Sequence, residues 1–390
     1  VLALITGLFS VWACDNNQLV NTIPGSGWNL IADSINTMTD TTYQRARNIG
    51  DNASLYTGVS QPDGREALLL FGFSTLDSLI LANFDSAKIR IFHRTFNASP
   101  ELLDSVFTLE RIIAGAGEEP WVESDTGLVP ENFGNSDSVA SAIMTNDTVD
   151  VLQSGLVVVR QRVEHLTFDI SKDLLQAWYN ESPPNHGLLL RVPEGIGLVS
   201  FYSSESIRPP YLVVTYQDTS TDISRTNYFL PAHDVSVYPA LTGSAPADRL
   251  VLNRSDNHRV HINFKKQIDS LESRPVASAR LILTVDADET HMMSSTMELE
   301  VHLRTQPIAD GDSGMVEYDA IVFTAIDNRL EYHLGPLLMQ YLSKWRNNFG
   351  FDLVVSDSQN DFDRLTLWGL TAPDRPRLEI VYAIPPGTTE

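Results

Sequence analysis

Two stretches of sequence, Arg208-Pro-Pro-Tyr-Leu-Val-Val-Thr-Tyr216 and Arg375-Pro-Arg-Leu-Glu-Ile-Val-Tyr382, share one pattern that determines the fold class. Proline lacks the amide hydrogen that a central strand needs, so each stretch marks the entry to a strand. Alternate residues from Leu212 to Tyr216 then share one face, as do those from Leu378 to Tyr382. Each stretch therefore predicts the final β-strand of a β-domain.

Similar runs occur along the rest of the chain. Short apolar or alternating segments between turn residues are typical of strands in an all-β protein. The clearest are Ala67–Phe73, Ala87–Phe92, Leu156–Arg160, Leu188–Arg191, Tyr211–Tyr216, Ala279–Val285 and Glu298–Leu303. Helical periodicity is limited to two short segments that end in tryptophan, Lys172–Trp178 and Gly335–Trp345. The sequence therefore predicts an all-β chain with one short helix in each half.

These elements occur twice in the same order. Each copy has a strand that begins with a small residue and alanine, then a short helix, a glycine with an apolar strand, and the Arg-Pro strand quoted above. Corresponding positions are Ser86–Ile91 and Ser278–Leu283, Trp178 and Trp345, Gly187 and Gly350, and Leu198–Tyr202 and Leu365–Trp368. This agreement predicts a duplicated β-domain. The expected domains are residues 41–217 and 225–384, with a boundary in the polar stretch near Gln217–Asn227.

The N-terminus has a different character. Residues 1–13 are an apolar run that ends in Ala13, directly before the only cysteine, Cys14. The run is shorter than the ~20 apolar residues that cross a bilayer and is typical of a secretory signal peptide. Leu8–Cys14 resembles the lipobox of bacterial lipoproteins. This resemblance implies lipidation of Cys14, a polar tether over residues 14–40, and anchoring in a bacterial cell envelope. The sequence does not determine which face of the membrane carries the protein. The alternative is a free buried cysteine in a disordered N-terminal segment.

The composition limits the partners. The chain has 50 acidic and 27 basic residues, a net charge of −23. Such a charge repels nucleic acid and anionic lipid headgroups, so neither is an expected partner. A single cysteine excludes a disulfide framework and structural zinc on thiolates. Apolar packing must therefore hold the domains together, and 43% hydrophobic residues are enough for globular cores.

One family resemblance follows from these motifs. Phe201-Tyr-Ser-Ser-Glu205 and Pro210–Tyr216, with the elements before them, resemble the DNRLRE-type β-sandwich domain, which is grouped with carbohydrate-binding module family 96 and related to the disaggregatase repeat. The resemblance runs from about Tyr43 to Tyr216. In the second copy Trp368-Gly-Leu370 replaces Tyr-Ser-Ser-Glu, so its assignment depends on the repeat. The resemblance implies two tandem jelly-roll-like β-sandwich domains and a carbohydrate-binding role.

Catalytic motifs are scarce. Gly311-Asp-Ser-Gly314 resembles a serine-protease motif, but Met315 follows where that motif has glycine, and no histidine context supports a triad. An acidic turn explains it better. The nine histidines show no metal-ligand spacing, and His258 and His261 would lie on opposite faces of a strand. We therefore predict no catalytic residues and no cofactor.

Calcium is the one metal that the sequence leaves open. Asp357, Asp361 and Asp363 lie in one acidic loop, and Asp286–Glu289 lies in another. Calcium prefers several oxygen ligands of this kind, although neither loop has the EF-hand pattern. A structural calcium ion at Asp357, Asp361 and Asp363 is therefore an alternative to solvated loop carboxylates.

Four aromatic residues are candidates for stacking against a sugar: Trp121, Tyr202, Tyr211 and Trp368. Trp121 lies in the acidic loop Glu118–Asp125, within an insertion that the second copy lacks, and is either exposed or folded under the loop. The sequence thus favours a lipid-anchored, non-enzymatic envelope protein that binds polysaccharide or supports adhesion. One alternative is a structural spacer or scaffold that docks onto another envelope protein. The other is a polysaccharide-degrading enzyme whose catalytic groups converge from distant strands.

Overall fold

The structure is a computed structural model. It describes residues 29–37, 39–44, 54–60, 64–74, 76–94, 102–103, 105–113, 121–122, 128–153, 157–181, 184–239, 248–264, 268–269, 271, 274–292, 296–308, 315–324, 328–334, 349–356 and 362–384. Several sequence features lie outside these residues: the segment around Cys14, the Gly311–Gly314 turn, the expected helix Gly335–Trp345, and Asp357 and Asp361 of the calcium prediction.

Within the described residues, strands dominate and helices are short. The elements up to residue 243 are β1 (Asn29–Asn36), β2 (Thr39–Gln44), β3 (Ser54–Val59), β4 (Glu66–Gly72), α1 (Ser78–Ala82), β5 (Phe84–Phe92), β6 (Val106–Ile112), a 3-10 turn (Pro130–Phe133), β7 (Ser136–Ile143), β8 (Thr145–Gln153), β9 (Val157–Asp169), α2 (Lys172–Tyr179), β10 (Leu188–Arg191), β11 (Val199–Tyr202), β12 (Tyr211–Asp218), β13 (Ile223–Phe229) and β14 (His233–Val237). The elements beyond it are β15 (Arg249–Asn253), β16 (His258–Asn263), β17 (Val276–Thr284), β18 (Thr296–Arg304), β19 (Met315–Thr324), β20 (Arg329–His333), β21 (Phe351–Val355), β22 (Arg364–Trp368) and β23 (Arg377–Ile384).

The chain divides into two compact units. Residues 46–243 form the central unit, and residues up to 45 together with residues 244–390 form the terminal unit. Each unit has two antiparallel sheets, and an apolar core contains side chains from both of them. The predicted all-β fold with few short helices is confirmed.

The strand orders of the two units correspond. The larger sheet runs β11-β3-β4-β10-β6-β7 in the central unit and β22-β15-β16-β21-β18-β19 in the terminal unit. The smaller sheet runs β13-β12-β5-β9-β8 in the central unit and β1-β23-β17-β20 in the terminal unit. The two Arg-Pro strands, β12 and β23, occupy corresponding places, so the duplicated pattern in the sequence has a counterpart in the topology.

The structure differs from the expected tether at residues 14–40. Residues from Asn29 onward form β1 and β2, which we call the N-terminal arm (Asn29–Gln44). β1 pairs with β23 along eight residues, and β2 pairs with β16. Ile35 is buried and Ile31 is partly buried, whereas Leu30 is 52% exposed, so β1 lacks the run of buried apolar residues that is typical of a core strand.

The expected boundary near Gln217–Asn227 is also wrong. β12 and β13 pair from Leu212 with Phe229 to Asp218 with Ile223, so this polar stretch is a hairpin inside the central unit. Hydrogen bonds from the hydroxyl and amide of Ser220 lower the pKa of Asp218 to about 2 and hold the turn. Asp, Ser and Thr are common both in turns and in linkers, so the composition of this stretch did not distinguish a hairpin turn from a domain boundary.

The hairpin leads into a second arm, the middle arm (Ile223–Val237), that is equivalent to the N-terminal one. β13 pairs with β12 as β1 pairs with β23, and β14 pairs with β4 as β2 pairs with β16. The registers of the two arms agree. Ile31 faces Tyr382 as Arg225 faces Tyr216, and Thr39 faces Asn263 as His233 faces Gly72. Each arm therefore bridges the two sheets of its unit.

The predicted helix Lys172–Trp178 is confirmed as α2. The Ser171 hydroxyl caps it by accepting a hydrogen bond from the Leu174 amide at 3.2 Å. Trp178 is only 2% exposed and packs in the central core, as expected for a tryptophan that closes one end of a sandwich.

Candidate functional site

Two of the four candidate aromatic residues occupy equivalent positions. Tyr202 ends β11 and faces Ser54 of β3, and Trp368 ends β22 and faces Arg249 of β15. The neighbouring backbone agrees as well, because the amides of Arg94 and Asp286 donate 2.9 Å hydrogen bonds to the carbonyls of Ser200 and Thr366. Both rings are half-buried, so part of each remains open to solvent.

Two guanidinium groups lie near the ring of Tyr202. The Cζ atoms of Arg94 and Arg208 lie 5.9 and 5.6 Å from its ring centroid, within the range of a cation–π contact. Arg94 donates a hydrogen bond to the Ser54 hydroxyl, which fixes its position. Ile207 is 65% exposed and extends the apolar surface of the same loop. The site thus offers an apolar ring with flanking donors.

A buried carboxylate holds the loop that follows Tyr202. Asp234 of the middle arm accepts hydrogen bonds from the Ser204 amide at 2.8 Å and the Ser204 hydroxyl at 3.1 Å. In the terminal unit, Asp40 of the N-terminal arm accepts in the same way from the Leu370 amide. Burial raises the pKa of Asp40, and this hydrogen bond only partly opposes the rise. The arms therefore fix the loop beside each aromatic ring.

Trp368 has one guanidinium stacked much closer. The Cζ atom of Arg249 lies 3.2 Å from the Trp368 ring centroid. Arg249 also donates to Asp286 at 2.5 Å and to Asp248 at 2.6 Å, so its charge is paired with two carboxylates. This arginine occupies one face of the indole. Trp368 is therefore a less open platform than Tyr202.

The other two candidates lie inside the protein. Trp121 is 8% exposed, and its indole N–H donates to the His186 carbonyl at 3.0 Å. Tyr211 has no exposed surface, and its hydroxyl donates to the Asp150 carbonyl while accepting from Arg90 at 3.0 Å. Neither ring has a face that a ligand could contact, because both rings are buried by neighbouring side chains and their polar groups are hydrogen-bonded within the protein.

The terminal unit contains a polar quartet that the sequence did not indicate. It consists of Tyr43, His261, Arg304 and Asp352, which lie on β2, β16, β18 and β21. Asp352 accepts from His261 Nδ1 at 2.7 Å, from Arg304 Nε at 2.5 Å and from the Tyr43 hydroxyl at 2.7 Å. The Arg304 and Asp352 side chains have no exposed surface. The quartet is a hydrogen-bond network centred on the fully buried Asp352 carboxylate, and Arg304 also donates to the Pro307 carbonyl at 3.2 Å.

The protonation states of the quartet follow from its contacts. Burial opposes ionisation of Asp352, but hydrogen bonds from His261 and Tyr43 and the nearby charges outweigh it, so the pKa of Asp352 is lowered. Burial and the Asp352 charge raise the pKa of Tyr43. Tyrosine, histidine and arginine are groups that an enzyme could use, but here each donates to the same inaccessible carboxylate. The arrangement suits structure better than catalysis.

A second acid–histidine pair lies behind Tyr202. His93 Nδ1 is 2.7 Å from Glu164 Oε2, and the imidazole packs edge-on against Phe201. Burial lowers the pKa of His93, and the hydrogen bond and charge of Glu164 only partly oppose this. The His93 side chain is 2% exposed, so it cannot reach a ligand on the Tyr202 surface.

A groove of about 420 Å³ opens at the other end of β11 from Tyr202, beside Gly58 and the loop Pro193–Gly197. Arg191 lies in its lining with Nε 2.7 Å from Glu110 and a terminal nitrogen 3.5 Å from Glu66. Its charge is thus neutralised within the protein. The lining of the groove is mostly apolar, and it also includes Thr57 and the carboxylates Glu66 and Glu194.

The calcium and lipid predictions are not tested by these residues. Asp357 and Asp361 lie outside the described part of the chain, while Asp363 is buried and its carbonyl accepts from Asn253 at 3.0 Å. In the described segments no three histidine, cysteine or carboxylate side chains are grouped to hold a metal. None of the helices described there is long and apolar enough to span a membrane.

Sequence reasoning missed both the arginine partners of the rings and the polar quartet. Arg94 and Arg208 approach Tyr202 from different strands and loops, and no spacing in the sequence links them. The only available signal was the repeat, which places Tyr202 and Trp368 at the same position. In the comparisons with known proteins, no family model matches the chain, and no curated protein matches it either. The resemblance to DNRLRE-type domains therefore stays a prediction.

Proposed function

We propose that this chain is a non-catalytic polysaccharide-binding protein of a bacterial cell envelope, anchored through a lipid on Cys14. The observation that carries the proposal is the half-buried aromatic ring with adjacent guanidinium at equivalent ends of β11 and β22. Sugar rings stack on aromatic faces, and arginine donors bind hydroxyl or carboxylate oxygens. Tyr202 is the primary site because both of its guanidinium neighbours lie beyond 5 Å and leave ring surface open.

The low accessibility of two histidines supports the non-catalytic part of the proposal. The imidazoles of both acid–histidine pairs described above are buried, with the His93 and His261 side chains 2% and 9% exposed. A general acid or base must reach the proton that it transfers, within about 3 Å or through one water. A binding role therefore agrees better with the described residues than polysaccharide degradation does.

The test is a glycan-binding screen on residues 15–390, followed by titration calorimetry with the best ligand. We expect Tyr202→Ala to abolish measurable binding and Arg208→Gln to weaken it at least tenfold. Tyr179→Ala is the matched control, because Tyr179 is 42% exposed but lies on α2, away from the site. Trp368→Ala should have a smaller effect than Tyr202→Ala.

Three outcomes contradict the proposal. Binding to no neutral, acidic or cell-wall glycan removes the polysaccharide role and leaves the spacer or scaffold alternative. Equal losses in Tyr202→Ala and Tyr179→Ala remove the assigned site. Release of reducing ends from a bound glycan would show an enzyme.

The anchor needs a separate experiment. We expect the chain, expressed with its N-terminal segment in a bacterium, to incorporate labelled fatty acid and to fractionate with membranes. Cys14→Ser should abolish both properties, whereas Cys14-containing chains with Tyr202→Ala should keep them. Membrane fractionation that survives Cys14→Ser would exclude lipid on this residue as the anchor.

A further inference from the structure

The terminal unit is completed by a segment that is remote from it in the sequence. β1 and β2 of the N-terminal arm pair with β23 and β16, although the chain between them forms the whole central unit. The middle arm makes the equivalent pairings in the central unit, but a short turn after Asp218 connects it directly to β12. One arm is thus local to its unit and the other is not.

The acceptor surface for each arm is chemically specific. The Thr42 hydroxyl accepts from the Val251 amide at 2.9 Å, and the Ser236 hydroxyl accepts from the Tyr56 amide at 2.5 Å in the equivalent place. Each hydroxyl stands two residues after the aspartate that holds the loop beside the aromatic ring. An occupant of the acceptor surface must therefore present aspartate and then a hydroxyl in this spacing.

The N-terminal arm adds one requirement of its own. Tyr43 supplies a hydrogen bond to the buried Asp352 and accepts from Arg304 at 3.3 Å. Without the arm, the carboxylate and the guanidinium lose a partner in a site where both are fully buried. Because unpaired buried charge is costly, the terminal unit needs this arm or an identical one.

We propose that the N-terminal arm is exchangeable between copies, so that two chains associate by trading Asn29–Gln44. An identical arm from a second copy makes every contact that the chain's own arm makes, which is the condition for low-cost strand exchange. The intrachain alternative closes a loop that contains the whole central unit, so its entropic advantage over a second copy is smaller than that of the middle arm, which closes a short turn. The partner is a second copy of this chain, because its arm alone carries Asp40, Thr42 and Tyr43 in the required spacing.

The test uses two cysteine variants in a Cys14→Ser background. Ala32 of β1 faces Val381 of β23, at a separation that suits a disulfide. Protein with Ala32→Cys is mixed with protein carrying Val381→Cys, partly unfolded in urea, refolded over a range of concentrations and oxidised. We expect a disulfide-linked pair of chains whose yield rises with protein concentration.

The middle arm supplies the matched control. Thr226 of β13 faces Thr215 of β12 at the equivalent register, with the two hydroxyl oxygens 3.4 Å apart. A mixture of Thr226→Cys and Thr215→Cys chains should give no linked pair, because that hairpin closes locally. The chain with both Ala32→Cys and Val381→Cys should form an internal disulfide and thereby verify the geometry.

Two results would overturn the proposal. One is an efficient internal disulfide in the double variant while the mixed single variants stay unlinked at every concentration. The other is equal linkage in the Ala32/Val381 and Thr226/Thr215 mixtures, which would indicate random collision. Neither depends on glycan binding.

Discussion

At corresponding positions of their larger sheets, the terminal unit has buried polar side chains and the central unit has apolar ones. In the terminal unit the polar quartet of Tyr43, His261, Arg304 and Asp352 lies there. The corresponding residues in the central unit are Val237, Leu70, Ile112 and Leu189, which belong to one apolar cluster. The register fixes the correspondence, since His261 faces Asp352 as Leu70 faces Leu189. One backbone thus accepts either four charged or polar groups or four aliphatic ones.

The difference shows what each solution requires. The apolar cluster is covered by Trp121 and Phe133, from the segment that only the central unit has. The quartet instead satisfies its own groups, with three donors on one carboxylate. An apolar cluster loses stability in proportion to the volume removed, whereas a buried ionic network loses most when one partner is deleted.

The largest expected effect is in the quartet. We expect Asp352→Leu to lower the free energy of unfolding of the terminal unit by about 3–5 kcal/mol, because it removes the carboxylate that pairs with the buried Arg304 guanidinium. Urea unfolding followed by ¹⁹F NMR of fluorotryptophan-labelled protein measures each unit, with Trp178 and Trp368 as reporters. The control is Asp137→Asn, which breaks an exposed pair with Arg111 and should cost less than about 1 kcal/mol.

The second expected effect is in the apolar cluster. Leu189→Ala should lower the unfolding free energy of the central unit by about 2–5 kcal/mol, because a fully buried side chain leaves a cavity. The same ¹⁹F experiment should show the Trp368 signal unchanged. A shift of both reporters by the same amount would show that the units unfold together and would remove the basis of the comparison.

The third change converts one unit's chemistry into the other's. Tyr43→Val, His261→Leu, Arg304→Ile and Asp352→Leu, made together, should leave the terminal unit as stable as the original or up to about 1–4 kcal/mol more stable, since buried ion pairs are often replaceable as a set. The measurement is the urea midpoint of the Trp368 signal. A combined variant no more stable than Asp352→Leu alone would contradict the equivalence of the two sites.

A smaller effect tests the arms. Thr42→Ala and Ser236→Ala should each cost about 1 kcal/mol, because each removes one acceptor of an otherwise equivalent amide. Thr42→Ala should affect only the terminal unit, and Ser236→Ala only the central unit. Hydrogen exchange at the amides of Val251 and Tyr56 reports each loss directly. Unchanged exchange at both amides would mean that these hydroxyls do not hold the arms.

The smallest effect is the response to pH. Burial lowers the pKa of His93 and His165 in the central unit, so the unfolded state binds more protons as the pH falls below about 6.5 and stability decreases. The lowered pKa of Asp352 keeps its contribution intact until the pH falls below about 4. The raised pKa of Asp40 has the opposite effect on the stability of the terminal unit, because the folded state then binds more protons than the unfolded chain as the pH falls.

Unfolding at pH 7.5 and pH 5.5 therefore separates the units. We expect the central unit to lose stability over this interval and the terminal unit to lose less. His93→Phe should reduce the pH dependence of the central unit, while the exposed-surface control Arg160→Gln should leave it unchanged. Equal losses in both units would argue against the histidines as the cause.

Much of the fold was accessible from the sequence because it depended on strong, local signals. Proline at strand entry and alternation in β12 and β23 act over a few residues and appear in order in both halves. The arms were not accessible. Asn29–Asn36 is an edge strand with only one buried apolar side chain, Ile35, and the hairpin after Asp218 has the composition of a linker.

The candidate site was accessible only in part. The repeat placed Tyr202 and Trp368 at one position, but the guanidinium groups beside them come from other strands and loops. The sequence of the acidic loop did not decide whether Trp121 is exposed or folded under the loop. It also did not indicate that the ring covers Leu189 and its neighbours. The quartet was missed for the same reason: its four residues lie on four strands, and only the structure shows that they meet.

The N-terminal arm is synthesised long before the strands with which it pairs. A ribosome adds about 5–20 residues per second, so the roughly 200 residues between Gln44 and Arg249 take about 10–40 seconds to appear. At the end of that interval the central unit has both of its sheets and its own arm, while β1 and β2 still lack the strands to which they pair. The nascent chain therefore carries an unpaired edge until its last third is made, and a holding chaperone would have its clearest target there.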